Sequence, residues 1–167
     1  MLYLHYGLLI ALAIGLCVAA FTDIKSRRIA NWLNGAIALG APLYWWASGM
    51  SLWPDVAWQL GFALIVTAIL LGIGYIGYTL GITILGGGDI KLLAALALWI
   101  TPLNYMTLLI IMAMVGGLLA IYFVIRRVVF KPKTPGQLPY GVAIAAGALW
   151  VITIDNYDTL FLGAMSG

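Results

Sequence analysis

Six apolar blocks separated by short polar interruptions make up the chain. They cover roughly residues 3–22, 29–47, 57–80, 84–101, 103–125 and 138–154. A helix needs about 20 consecutive apolar residues to cross a bilayer, and most of the blocks approach that length. The pattern predicts an all-α, polytopic membrane protein with about six transmembrane helices. The fourth block fits least well. From Asp89 to Ile100 it holds 12 residues, about 18 Å of helix against a hydrocarbon core of about 30 Å. That helix either stops short of spanning or begins upstream, near Ile84. Residues 131–141, KPKTPGQLPYG, carry three prolines and two glycines and predict a loop leading into helix six. No internal repeat is evident.

Composition points to the same solvent. Of 167 residues, 65% are hydrophobic and 8% charged, where soluble domains carry about 25% charged. A chain this small cannot hide so much apolar surface in a core of its own. Residues 1–167 are therefore read as one membrane-embedded domain with no soluble domain attached. The net charge of +3 does not indicate nucleic acid, because no basic stripe accompanies it. The single cysteine, Cys17, lies in the middle of an apolar run. It excludes an intrachain disulfide and a CxxC zinc or redox motif, and Leu16 before it argues against a lipidation site. The run from Leu8 to Phe21 has no basic residue ahead of it, the first being Lys25. A secretory leader would carry one there, so the run is expected to be a retained helix.

The placement of charge orients the helices. Lys25, Arg27 and Arg28 fall between helices one and two, Lys91 at the start of helix four, and Arg126, Arg127, Lys131 and Lys133 between helices five and six. In a six-helix zigzag these places share one side, which the positive-inside rule makes cytoplasmic. Asp55, Asp155 and Asp158 fall on the opposite side, and both termini are expected outside. Tyr44, Trp45, Trp46, Trp53, Trp58, Trp99, Tyr105 and Trp150 gather at the outer ends, where such rings favour the headgroup level.

Two acids break this segregation. Asp23 ends helix one and Asp89 opens helix four, both on the cytoplasmic side. An ionisable group below the membrane surface is a functional-site candidate by default. Gly86, Gly87 and Gly88 precede Asp89; lacking side chains, they let another backbone approach or let the chain turn with positive φ. Two carboxyls held close together cannot both ionise. One then keeps its proton for a carbonyl oxygen while the other takes a proton from water, which suits peptide hydrolysis without cofactor or metal. Local roles compete with this. Asp89 can cap helix four, and Asp23 can pair loosely with Lys25 or Arg27 in a wet loop; on position alone these roles outweigh catalysis. Serine or cysteine catalysis has less support, because His5 is the only histidine, is assigned to the outer interface, and Cys17 has no partner nearby. One histidine, one cysteine and dispersed carboxylates also argue against a metal site.

Three stretches shift the balance. Gly86-Gly87-Gly88-Asp89 matches the G-x-G-D signature of membrane aspartic proteases and, extended by Ile90 and Lys91 to GGGDIK, resembles the type IV prepilin peptidases. FTDIKSRRIANWLN, Phe21 to Asn34, is similar to that family's segment in which an aspartate precedes a basic cluster, with Ala30 where many members have proline. LPYGVAIAAGAL, Leu138 to Leu149, resembles the short Tad-type branch. The resemblance implies that Asp23 and Asp89 are the catalytic pair and that no cofactor is needed. On this reading Gly86 to Gly88, free of side chains, admit the substrate backbone, and Lys91 anchors helix four at the headgroups, as snorkelling lysines do, or tunes Asp89. The resemblance implies Flp-type prepilins and pseudopilins as substrates, cut at the cytoplasmic face of a bacterial inner membrane. The cysteine-rich domain of the large members has no counterpart in the chain, so their methyltransferase activity is not expected. Signal peptide peptidases and presenilins share G-x-G-D but end in Pro-Ala-Leu, whereas the late motif here is Pro139-Tyr140-Gly141. Two readings of other classes stand beside this one. A small proton-coupled transporter would use the same acids, although transport sites tend to lie near the midplane between inverted repeats. A pilus-assembly scaffold would use neither acid.

Overall fold

The computed structural model describes residues 2–82, 85–130 and 139–156. Most of the loop read at 131–141, with Lys131 and Lys133, lies outside them, as does Asp158. Among the described residues every regular element is helical. The helices are α1 (Leu2–Ser26), α2 (Asn31–Ala47), α3 (Ala57–Thr79), α4 (Gly87–Leu96), α5 (Pro102–Phe130) and α6 (Tyr140–Asp155), with a wide turn at Leu52–Val56 ahead of α3. Leu2–Ser26, Leu52–Thr79 and Pro102–Arg126 are long and apolar enough to cross a membrane. Their outward faces carry exposed Ile14, Leu64, Ile65, Ile110 and Leu118. Water would penalise such a surface, whereas lipid solvates it. The architecture is all-α and of the polytopic membrane kind. Cys17 is exposed on α1.

The fourth block gives a helix of ten residues, about 15 Å long, which is too short to span. It begins at Gly87 rather than near Ile84, and irregular turns carry the chain on to Ile100. α4 packs against α2, α3 and α6, and Leu92, Leu93 and Leu96 are almost fully buried. A helix with an apolar surface all round belongs in the middle of a bundle.

A helix that ends inside a bundle leaves carbonyls without intrahelical partners, and lipid supplies none. Side chains from two other helices supply them here, and Tyr105 of a third adds a bond to Leu93 O, which also accepts the Ala97 N–H. Gln59 Nε2 donates to Ala97 O and to Ile100 O, each at 2.8 Å. Trp45 Nε1 donates to Leu98 O at 2.8 Å, and the Tyr105 hydroxyl donates to Leu93 O at 3.0 Å. Two of the rings expected at the outer ends, Trp45 and Tyr105, thus face the protein and bond its carbonyls. Both are buried, while Trp46, Trp53, Trp58 and Trp150 remain exposed. Replacing Gln59 with leucine leaves two buried carbonyls unpaired, at about 1–3 kcal/mol each. Thermal melting in detergent is expected to show that loss; an unchanged midpoint would mean the carbonyls find other donors.

Ala30 enters α2 with φ −65, the value a proline would impose, and an extended ψ of 134 that proline also tolerates. Alanine therefore keeps the turn that many members of the resembling family set with proline. At the far end of the bundle, His5 Nδ1 lies 2.9 Å from Ser48 Oγ and Nε2 lies 3.3 Å from Asn156 Oδ1. Asn104 Nδ2 donates to Asp155 at the same end. α5 and α6 meet closely, because a Cβ at Gly147 would lie 2.8 Å from Leu108 O.

Candidate active site

Arg27 ends α1 with φ +55, and its N–H bonds Asp23 O at 2.9 Å. This is the left-handed stop that helices usually assign to glycine. It leaves Asp23 in the last turn of α1, on the inward face, where it is buried. Gly86 occupies the N-cap of α4, so Asp89 is not the cap. Asp89 is the third residue of the helix, and it too is buried.

The fold brings both acids to one cavity of about 320 Å³, lined also by Gly86, Gly87, Gly88, Arg27, Arg28, Ile29 and Asn31. The charge of Asp23 reaches Asp89. Two buried carboxyls that share a cavity disfavour ionising together, which favours holding one proton between them.

The two acids are held by different means. Asp23 Oδ2 accepts the backbone N–H of Gly141 at 2.8 Å. Gly141 is the second residue of α6, and Pro139 before it offers no side-chain cap. Free N–H groups at a helix start favour an anion, and Asp23 meets that need from another helix. A Cβ at position 141 would lie 2.9 Å from Asp23 Cβ and 3.0 Å from Oδ2, so the approach has no room for a side chain. Asp89 turns back over its own N-cap, where a Cβ at Gly86 would lie 2.7 Å from Asp89 Oδ2.

The glycine triplet serves close approach. The positive-φ glycines among the described residues are Gly49 and Gly81, so the triplet makes no left-handed turn. A Cβ at Gly88 would lie 3.3 Å from Ile29 Cβ, whereas one at Gly87 would meet nothing within 4 Å. Gly86 and Gly88 thus accommodate the protein itself, and Gly87 is the open member. Lys91 is exposed, and its Nζ donates to Asn31 Oδ1 at 2.8 Å, tying α4 to α2. Asn34 Nδ2 donates to Gly88 O at 3.1 Å. The Arg27 guanidinium sits 5.8 Å from the Phe123 ring centroid, and its buried Nη1 makes no hydrogen bond among the described residues.

Sequence reasoning singled out Asp23, Asp89, the triplet and Lys91, and the structure gathers all of them around this end of the bundle. It did not single out the link from Gly141 to Asp23 or from Asn34 to Gly88. A glycine just after a helix-opening proline marks a close neighbour, but which neighbour is a tertiary fact. Among the described residues no three His, Cys, Asp or Glu side chains gather as a metal site would require.

A family model described as the type IV leader peptidase family matches residues 10–121. The match contains both aspartates and the glycine triplet. No curated protein and no solved structure matches the chain.

Proposed function

The chain belongs to the type IV leader peptidase family, a family of proteases, and from that premise we propose that it is an aspartic endopeptidase that removes the leader of Flp-type prepilins and pseudopilins. The observation that carries the reading is the burial of Asp23 and Asp89 around one cavity.

The proposed chemistry balances as follows. The ionised carboxylate takes a proton from water, and the water oxygen bonds to the scissile carbonyl carbon. The protonated carboxyl gives its proton to the carbonyl oxygen, whose π electrons move onto it. The neutral tetrahedral diol then collapses. Its C–N bond breaks, the leaving nitrogen takes up a proton from the pair, and a diol hydroxyl proton returns to the other carboxyl. One molecule of water is consumed and the pair ends with the single proton it began with.

The side of the membrane follows from the charges. Arg27, Arg28 and Lys91 surround or adjoin the cavity, while Asn104, Asp155 and His5 lie at the other end. The positive-inside rule makes the acid-bearing end cytoplasmic. A prepilin would then present its leader there and leave its apolar segment in the bilayer. Both acids sit at one end of the bundle, which supports hydrolysis at a membrane boundary over a transport route through the midplane.

Co-expression with a Flp-type prepilin tests the proposal. The pilin is expected to run at lower mass on a gel only when the chain is present. An unprocessed pilin, at normal membrane levels of both proteins, would return the transporter and scaffold readings.

A further inference from the structure

We infer that the lateral groove between α2 and α3, floored by α4, seats the first turns of the substrate's apolar membrane helix. The inference rests on the peptidase reading and deepens it by naming where the substrate lies.

α2 and α3 each pack on α4 far more than on one another, and because α4 is short they splay above it. The resulting groove holds about 500 Å³ and is almost entirely apolar. Its walls and floor include Gly35, Ala38, Ala63, Ala94 and Ala95. Small residues at such positions let a second helix backbone come close, which is how helices associate in lipid. A Cβ added at Gly35 would meet nothing within 4 Å, so the space above it is open.

The polar groups of the groove are concentrated where it meets the acids. Asn31 lines both the groove and the aspartate cavity, so the two spaces adjoin. Asn34 lines the groove at 4% exposure. Its Nδ2 is committed to Gly88 O, which fixes the amide's orientation, and its Oδ1 has no hydrogen-bond partner among the described residues. A membrane helix arriving with its N-terminal end toward the acids has free N–H groups in its first turn, and the exposed Asn31 amide oxygen at that end of the groove can accept from them. An acyl chain fills the apolar part but brings no donor. The peptide just ahead of that helix, still extended, then passes Asn31 into the cavity. Since Asn34 also holds the carbonyl next to Asp89, seating the helix and placing the scissile bond are mechanically linked.

The test uses the full chain in membranes, carrying Cys17→Ala and Asp89→Asn so that substrate stays uncut. Single cysteines are placed in the groove (Ala38→Cys, Leu64→Cys) or on the lipid face of α1 (Ile14→Cys). They are paired with a prepilin bearing one cysteine in the first turn of its apolar helix. Oxidation is expected to yield a pilin adduct from both groove positions and none from Ile14→Cys. An equal adduct from Ile14→Cys, an adduct joining only two copies of the chain, or no groove adduct would overturn the inference. In parallel, Gly35→Leu in the active chain, at a position where an added Cβ meets nothing within 4 Å, is expected to lower kcat/KM on full prepilin by about tenfold through KM. Unchanged cleavage by that variant would also count against the groove. Wild-type cleavage is read separately: cleavage without groove adducts sinks the groove and leaves the aspartate pair standing, and absent cleavage sinks the peptidase reading.

Discussion

Asparagine at position 23 or at position 89 is expected to reduce prepilin cleavage by about a thousandfold or more, while membrane levels of the protein stay normal. General acid–base catalysis by one positioned group contributes about 10²–10⁴, and in the proposed mechanism both groups act on one water and one carbonyl. They work as a unit, so the double variant is expected to be no worse than either single one. Asparagine keeps the volume of aspartate and can still accept the Gly141 N–H, which spares the helix contact seen at 2.8 Å. It cannot take a proton from water or hold the acid proton. The check is single-turnover cleavage of a Flp-type prepilin in membranes, with expression measured in parallel. Normal cleavage by the Asp89→Asn chain would remove the pair from the mechanism.

The second large effect is expected at Gly141, a residue that carries no functional group. A methyl there would lie 2.9 Å from Asp23 Cβ and 3.1 Å from Cγ, nearer than non-bonded carbons tolerate. Either the start of α6 or the Asp23 side chain must yield, and Asp23 is held by the very N–H that moves. Displacing a reacting group by about 1 Å costs on the order of a hundredfold in rate. Gly141→Ala is therefore expected to lower kcat by roughly ten- to a hundredfold with little change in KM, since the groove between α2 and α3 lies elsewhere. A fall in KM-dependent binding with unchanged kcat would mean that Gly141 serves substrate docking and not the acid.

Much of the fold was legible along the chain because apolar runs and charge placement act locally. All six blocks became helices, and the acids that interrupted the charge pattern lie together. The sequence left open whether α4 stops short of spanning or begins upstream, and the first alternative holds. Whether an apolar block can end inside a bundle depends on donors for its carbonyls, and those come from Gln59, Trp45 and Tyr105 in other blocks. The same two rings were read as headgroup anchors for a related reason. A ring with an apolar body and one polar atom suits the lipid interface and a buried carbonyl equally well. At the site, both aspartates stood out because charge is scarce in this chain. Gly141 and Asn34 did not, because their importance lies in what the fold places beside them.

The bond between Asp23 and Gly141 spans 118 residues and joins the first helix to the sixth. It gives the enzyme a biogenesis schedule. A ribosome adding about 5–20 residues per second inserts α1 on the order of ten seconds before α6 emerges. Throughout that interval the nascent chain carries one acid, then both, without the donor that fixes Asp23. In the proposed mechanism, proteolytic competence therefore waits for α6. An allele truncated before Tyr140 leaves a membrane protein that holds every acidic residue of the pair and no assembled site.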